Sequence, residues 1–254
     1  MLTRTLVVLA ALLPIGAVHA QKPQPKPEDT EVWQPEPKIV TPGRTDAEPP
    51  SDAIVLFDGR NASEWVAAGK TTPADWPVSG CVMTVNKKAG DIQTRLAFSN
   101  YQLHIEWRIP VGITGSGQLR GNSGVFLAIT EHGGYELQVL DSYENKTYVN
   151  GQAGSIYKQA APLVNAMRKP GEWQAYDVVW TAPTFNADGS LRTPARVTVF
   201  HNGVLVQNNF ELKGTTEYIG APTYTAHGAA PILLQAHGDP SSPISYRNSW
   251  LRPL

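Results

Sequence analysis

Between residues 54 and 251 the chain holds no sustained helical period; it alternates apolar and polar residues in short runs broken by turns. The clearest run is 102–109, where Leu103, Ile105, Trp107 and Ile109 face one way and Gln102, His104, Glu106 and Arg108 the other. Side chains switch face at every step of an extended strand, so this pattern predicts half-buried β-structure. Similar runs fall at 54–57, 124–129, 135–140, 174–181, 195–201, 232–235 and 244–251. Asn202-Gly203 sits between apolar runs and predicts a tight hairpin into Val204-Leu205-Val206. Only 160–167 reads as a helix, and a short one.

Many short strands with few helices predict an all-β fold, a two-sheet antiparallel jelly-roll sandwich. Gly 22 and Pro 21 supply the turns, and Trp 7, Tyr 9 and Phe 6 supply a core, which excludes wholesale disorder. No repeat of 20–50 residues marks a propeller or solenoid. A net charge of -1 offers no basic excess for phosphates, so no nucleic-acid partner is expected.

The N-terminal part differs. Residues 1–20 carry Arg4, an apolar run at 6–13 and a small-residue site, Val18-His19-Ala20, the pattern of an export signal peptide. The run is too short to span a bilayer, so no transmembrane segment is expected and the protein is read as periplasmic or secreted. Residues 21–51 are Pro-rich and read as an extended tether, because proline removes donors and fixes φ. The folded domain is expected over 52–254. Cys81 is the single cysteine, so the domain rests on its core and not on disulfides.

Four constellations could carry chemistry. Within 135–141, Glu136 and Gln138 share a strand face, and a bulge near Leu140 would bring Asp141 round to join them. Arg120-Gly121-Asn122-Ser123-Gly124 offers small residues for close backbone approach, and Asn122 offers donors and an acceptor for hydroxyls. Gln235 and His237 lie on one face of an extended segment, and an imidazole titrates near neutral pH. Arg247, within 246–250, is placed to hold a carboxylate or polarise a carbonyl. Each also has a plainer explanation: the wet face of a strand, a loop turn, a surface histidine, an edge ion pair. The chain has no G-x-S-x-G elbow, H-E-x-x-H, phosphate loop or dinucleotide fingerprint, and its histidines lack metal-ligand spacing. No cofactor or metal ligand set is therefore predicted, with a calcium site of oxygen ligands left open.

Taken in order, Leu56-Phe57-Asp58-Gly59-Arg60-Asn61 with Trp65, Asn122-Ser123-Gly124-Val125-Phe126, the run 135–141, Gly154-Ser155-Ile156-Tyr157, Gly171-Glu172-Trp173, Leu234-Gln235-Ala236-His237-Gly238 and the closing 246–254 resemble the bacterial 3-keto-disaccharide hydrolase family. The resemblance runs from about Ile54 to the C-terminus. It implies a concanavalin A-like jelly roll of the lectin and glucanase type. It also implies action on sugars oxidised to a ketone at C3, by hydrolysis or by elimination and hydration.

Such a reaction needs a base near C2, an acid for the leaving oxygen and a donor for the C3 oxyanion. Glu136 and His237 are the candidate base and acid, with Asp141 as a third catalytic candidate or a hydroxyl ligand. Arg120, Gln235 or Arg247 would stabilise the oxyanion. Asn122 and Gln138 would hold hydroxyls, and Tyr157 would close the site. The Glu-x-Gln-x-x-Asp strand is similar to the Glu-x-Asp-x-x-Glu strand of jelly-roll glucanases but lacks its second glutamate, which argues against ordinary double displacement. Two other readings stand beside the enzyme. One is a sugar-binding module with Tyr157 and Trp173 stacking on sugar faces; the other is a cell-envelope interaction protein working through its tether.

Overall fold

The computed structural model describes residues 24–254. The expected export signal, residues 1–20, and the start of the Pro-rich segment, 21–23, lie outside the described residues. The chain forms two compact units, one ending at Ile39 and one spanning Val40–Leu254. The described part of the first is extended apart from one 3-10 turn, Pro27–Thr30, where a proline occupies the first turn. Among the described residues no helix is long and apolar enough to cross a membrane.

The second unit is an all-β sandwich. Its strands are β1 (Ile54–Phe57), β2 (Trp65–Ala67), β3 (Val78–Ser79), β4 (Val82–Thr84), β5 (Ile92–Thr94), β6 (Tyr101–Arg108), β7 (Ser123–Thr130) and β8 (Gly133–Val139). They continue with β9 (Trp173–Thr181), β10 (Thr184–Phe185), β11 (Leu191–Thr193), β12 (Arg196–His201), β13 (Val204–Glu211), β14 (Leu233–Leu234) and β15 (Ser245–Pro253). One sheet runs β13-β12-β9-β6-β15-β4-β3, with β1 also on β15; the second runs β2-β5-β14-β7-β8. The paired strands are antiparallel, as in a jelly roll.

The alternation in the sequence sorts the layers. Tyr101, Leu103, Ile105 and Trp107 of β6 are fully buried between the sheets, beside Tyr176, Val178 and Trp180 of β9. Three phenols cross the core to the second sheet. The Tyr101 hydroxyl donates to Leu127 O (2.5 Å), that of Tyr176 donates to Gln138 O (2.7 Å), and that of Tyr246 pairs with Ser123 Oγ (2.9 Å). All three land on β7 or β8, so the larger sheet fixes the position of those two strands. At the predicted hairpin Asn202 and Gly203 both take positive φ, 54° and 79°, the two-residue turn that suits the strand twist. Residues 160–167 contain no helix: Pro162 lacks a donor, and the Asn165 side chain donates to Ser142 O and accepts from the Met167 N–H.

The compact unit includes a strap that precedes β1. Thr41 and Ser51 close it by backbone and side-chain bonds, and Ala47 O accepts from Asn248 Nδ2 (2.9 Å) and Trp250 Nε1 (3.0 Å). Beneath it the His104 ring stacks on Trp250 with centroids 5.5 Å apart. His104 Nδ1 lies 2.6 Å from Asp177, and its Nε2 lies 3.5 Å from Glu106. Burial works against the charged imidazole, but hydrogen bonds and charge from Asp177 and Glu106 outweigh it and raise His104 to about 9. A histidine whose folded pKa exceeds its unfolded value stabilises fully below about 6.5 and loses that contribution as pH rises through about 9. His104→Gln is therefore expected to lower the melting temperature most below pH 6.5, the gap to the native protein narrowing toward pH 9. A gap independent of pH would contradict the charged state.

Candidate active site

Strands β7, β8 and the continuation of β14 form one floor. Leu234 pairs with Val125, and the Gln235 N–H donates to Gly124 O (3.0 Å). Gly124 in turn pairs with Gln138, and Phe126 with Glu136. The segment after β8 adds an edge: Leu137 bridges Ile156, and the Tyr157 N–H donates to Glu136 O (3.1 Å). Period 2 then puts Gln235, Gly124, Gln138, Glu136 and Tyr157 on the same face, opposite the core residues Val125, Leu137 and Ile156.

This face lines a cavity of about 690 Å³, within the range of small-molecule sites. Of the nine predicted site residues it gathers six: Asn122, Glu136, Gln138, Tyr157, Gln235 and His237. Gln118, Leu119, Tyr148, Lys158, Thr216 and Tyr218 complete much of the wall.

Glu136 is buried, and burial pushes its carboxyl up to about 8. It is thus a neutral acid over much of the physiological range. The carboxyl leans over the neighbouring strand, because a Cβ added at Gly124 would sit only 2.8 Å from Glu136 Oε1 and 3.1 Å from Glu136 Cγ. The glycine leaves the room that the carboxyl fills. Gly124→Ala is expected to displace the carboxyl and lower turnover by about 10²-fold, the scale of a 1 Å misplacement. Unchanged steady-state kinetics in that variant would show that the carboxyl is not positioned by this contact.

His237 Nδ1 lies 3.1 Å from Asp239 Oδ2. Burial alone would raise the Asp239 carboxyl, but hydrogen bonds involving His237, Ser241 and Lys87 hold it down to about 2. Lys87 Nζ reaches Asp239 Oδ2 (3.1 Å), Asp239 O (2.7 Å) and Ser241 O (2.9 Å). Ser241 Oγ donates to Asp239 and accepts from the Gly121 N–H, tying the network to the turn before β7. The Asp239 backbone N–H also donates to His237 Nδ1 (3.1 Å), so the carboxylate and the amide together hold the ring in one orientation.

The floor amides form a chain. Gln138 Nε2 donates to Asn122 Oδ1 (2.8 Å), and Asn122 Nδ2 donates to Gln118 O (2.9 Å). Gln138 Oε1 and Gln235 Oε1 are buried acceptors with no hydrogen-bond partner among the described residues. Unpaired acceptors of this kind call for a donor such as a sugar hydroxyl.

The sequence of the whole domain, 52–252, matches the family model described as the 3-keto-alpha-glucoside-1,2-lyase-like domain, the 3-keto-disaccharide hydrolase family. The chain belongs to this family. It is similar to a crystal structure of a candidate glycosyl hydrolase from Parabacteroides distasonis, with 55% identity, TM-score 0.84, and coverage of 90% of this chain and 97% of that one. Two further candidate glycosyl hydrolases from the same organism share the fold at 20% and 22% identity, with TM-scores 0.58 and 0.54, each over 80% of this chain and 94% and 99% of theirs. No curated protein matches the chain. Family and relatives together place it among carbohydrate-active domains.

Within this family domain three predicted residues lie away from the cavity. Asp141 does not join Glu136, because β8 ends at Val139 and the bulge falls instead in β7, between Phe126 and Ile129. The Asp141 N–H donates to Arg120 O, and its wholly buried carboxylate lies 2.7 Å from Arg120 Nε. Arg120 and Asp141 thus form a structural pair beneath the loop. Arg247 sits on the other sheet: its Nε donates to Glu106 (2.6 Å), and its guanidinium lies 4.1 Å from the centre of the Trp173 ring. Trp173 is therefore remote from the cavity as well.

Sequence reasoning missed Lys87, Asp239, Tyr148, Lys158 and Tyr218. Asp239 was legible as the residue two beyond His237. Lys158 directly follows Tyr157, whereas Lys87, Tyr148 and Tyr218 come from other segments and carry no local pattern. Among the described residues no three His, Cys, Asp or Glu side chains converge as a metal-binding group.

Proposed function

We propose that the protein is an exported enzyme that cleaves 3-keto glycosides by elimination and hydration across C1 and C2. One observation carries the reading: a carboxyl held protonated by burial, Glu136, shares a cavity with an Asp-oriented imidazole, His237. A protonated carboxyl and an imidazole in one cavity divide naturally into acid and base.

A C3 ketone acidifies the C2 proton. His237 Nε2 takes that proton, leaving an enolate whose charge rests on O3. The C1–O bond then breaks as Glu136 gives its proton to the leaving oxygen, and a C1=C2 enone remains. Water adds at C1, delivering one proton to the Glu136 carboxylate. His237, whose proton exchanges with solvent while the enone is bound, then protonates C2, which regenerates both groups and releases the 3-keto sugar. Gln235, rather than Arg120 or Arg247, is the predicted oxyanion ligand that lines the cavity. Asn122 and Gln138 hold ring hydroxyls. Export rests on the pattern at 1–20.

The test compares a 3-keto glucoside with its unoxidised parent. Cleavage of the keto sugar alone is expected. Equal cleavage of both would favour ordinary glycoside hydrolysis, and saturable binding without cleavage would favour a sugar-binding module.

A further inference from the structure

We propose that the cavity mouth is a subsite for a flat, apolar leaving group. The substrate would then be a 3-keto glycoside of an aromatic or apolar alcohol, not a disaccharide. The proposal rests on the reading above and deepens it.

Floor and mouth differ in chemistry. The floor is buried and polar, with Asn122, Glu136 and Gln138 almost fully enclosed and two amide oxygens unpaired among the described residues. The mouth is exposed and apolar. Leu119 (53%), Tyr148 (41%) and Tyr218 (71%) line it, and Val149 (63%) and Ile219 (82%) adjoin them in the chain. Single exposed apolar residues are ordinary; three lining one cavity make a patch.

Several polar groups of the mouth are already engaged. The Tyr148 and Tyr157 hydroxyls pair at 2.6 Å. Gln118 Nε2 donates to Thr147 Oγ1 (3.0 Å) and Gly151 O (2.8 Å). Thr216 Oγ1 accepts from the Glu136 N–H (3.0 Å). Lys158 Nζ donates to Tyr218 O and lies 4.1 Å from the centre of the Tyr218 ring, with the Tyr157 and Tyr148 rings at 5.7 and 5.9 Å.

A second sugar ring would bring several hydroxyls into a mouth with few free partners, and each polar group left unpaired on burial is unfavourable. An aromatic ring brings none. It can pack its faces against three tyrosines and bury apolar surface on Leu119. The sugar would keep the floor, where the unpaired acceptors are. The glycosidic oxygen then falls between the two zones, near Glu136.

The experiment measures kcat/KM for 3-keto glucosides carrying methyl, benzyl or glucosyl groups at C1. Benzyl, an alkyl alcohol, limits differences in leaving-group acidity. The native protein is expected to prefer benzyl over glucosyl by at least about tenfold, the scale of a ring's worth of buried contact. In the double variant Leu119→Ala, Tyr218→Ala the benzyl-to-methyl ratio should fall at least about tenfold by the same reasoning. A preference for glucosyl, or a ratio the double variant does not move, would overturn the subsite. Calorimetric binding of the unoxidised benzyl and methyl glucosides reads the mouth without catalysis. Tighter benzyl binding that the double variant loses supports the subsite even if no keto sugar is cleaved; equal binding of the two overturns it.

Discussion

Glu136→Gln is expected to lower turnover of a 3-keto glycoside by about 10²–10⁴-fold, the usual contribution of a positioned proton donor, while raising the melting temperature. The two effects have one cause. Burial raises the carboxyl to about 8, above its ordinary 4.5, so the fold favours the protonated form. That contribution is fully present below about 4.5 and is lost as pH rises through about 8, where ionising the group works against the fold. Glutamine keeps the shape and carries no charge. The gain in melting temperature should therefore be small at pH 5 and larger at pH 8. In the native enzyme the same titration predicts an alkaline fall in kcat near pH 8, because the acid must carry its proton. Lost activity with a melting temperature lowered at every pH would mean that Glu136 only supports the fold.

His237→Ala is expected to cause a loss of similar size, about 10²–10⁴-fold, for the base step. Asp239→Asn should act in the same direction, since an amide loses the charged contact with Nδ1 that helps to orient the ring. Its fold should suffer more than that of His237→Ala, because Asp239 is buried and accepts from Lys87 and Ser241 while His237 is partly exposed. Thermal denaturation and steady-state kinetics on both variants separate the two roles. Near-native turnover in His237→Ala would remove the imidazole from the mechanism.

Much of this architecture was legible locally. The alternation at 102–109 gives β6, because a strand with one buried face must repeat every second residue. Asn202-Gly203 gives its hairpin because the turn requires positive φ at both positions. That Glu136, Gln138, Gln235 and His237 share a face was readable for the same reason: polar side chains at period 2 along extended segments, and all four line the cavity.

What failed was non-local. Where β8 stops decides the direction of Asp141, and no residue in 135–141 marks that end. Arg247 has the right alternation but lies on the other sheet, and sheet assignment depends on pairing across long sequence separations. Lys87 reaches Asp239 across 152 positions. The strap at Ala47 joins Asn248 and Trp250, more than two hundred residues away.

The most direct test of the account is the fate of the C2 proton. The native enzyme and His237→Ala would each be incubated in D₂O with a 3-keto glucoside, and the released 3-keto sugar read by NMR. The account predicts deuterium at C2 with the native enzyme, and neither product nor exchange at a comparable rate with the variant. Rapid cleavage by the native enzyme with C2 still fully protonated, and undiminished in His237→Ala, would contradict it.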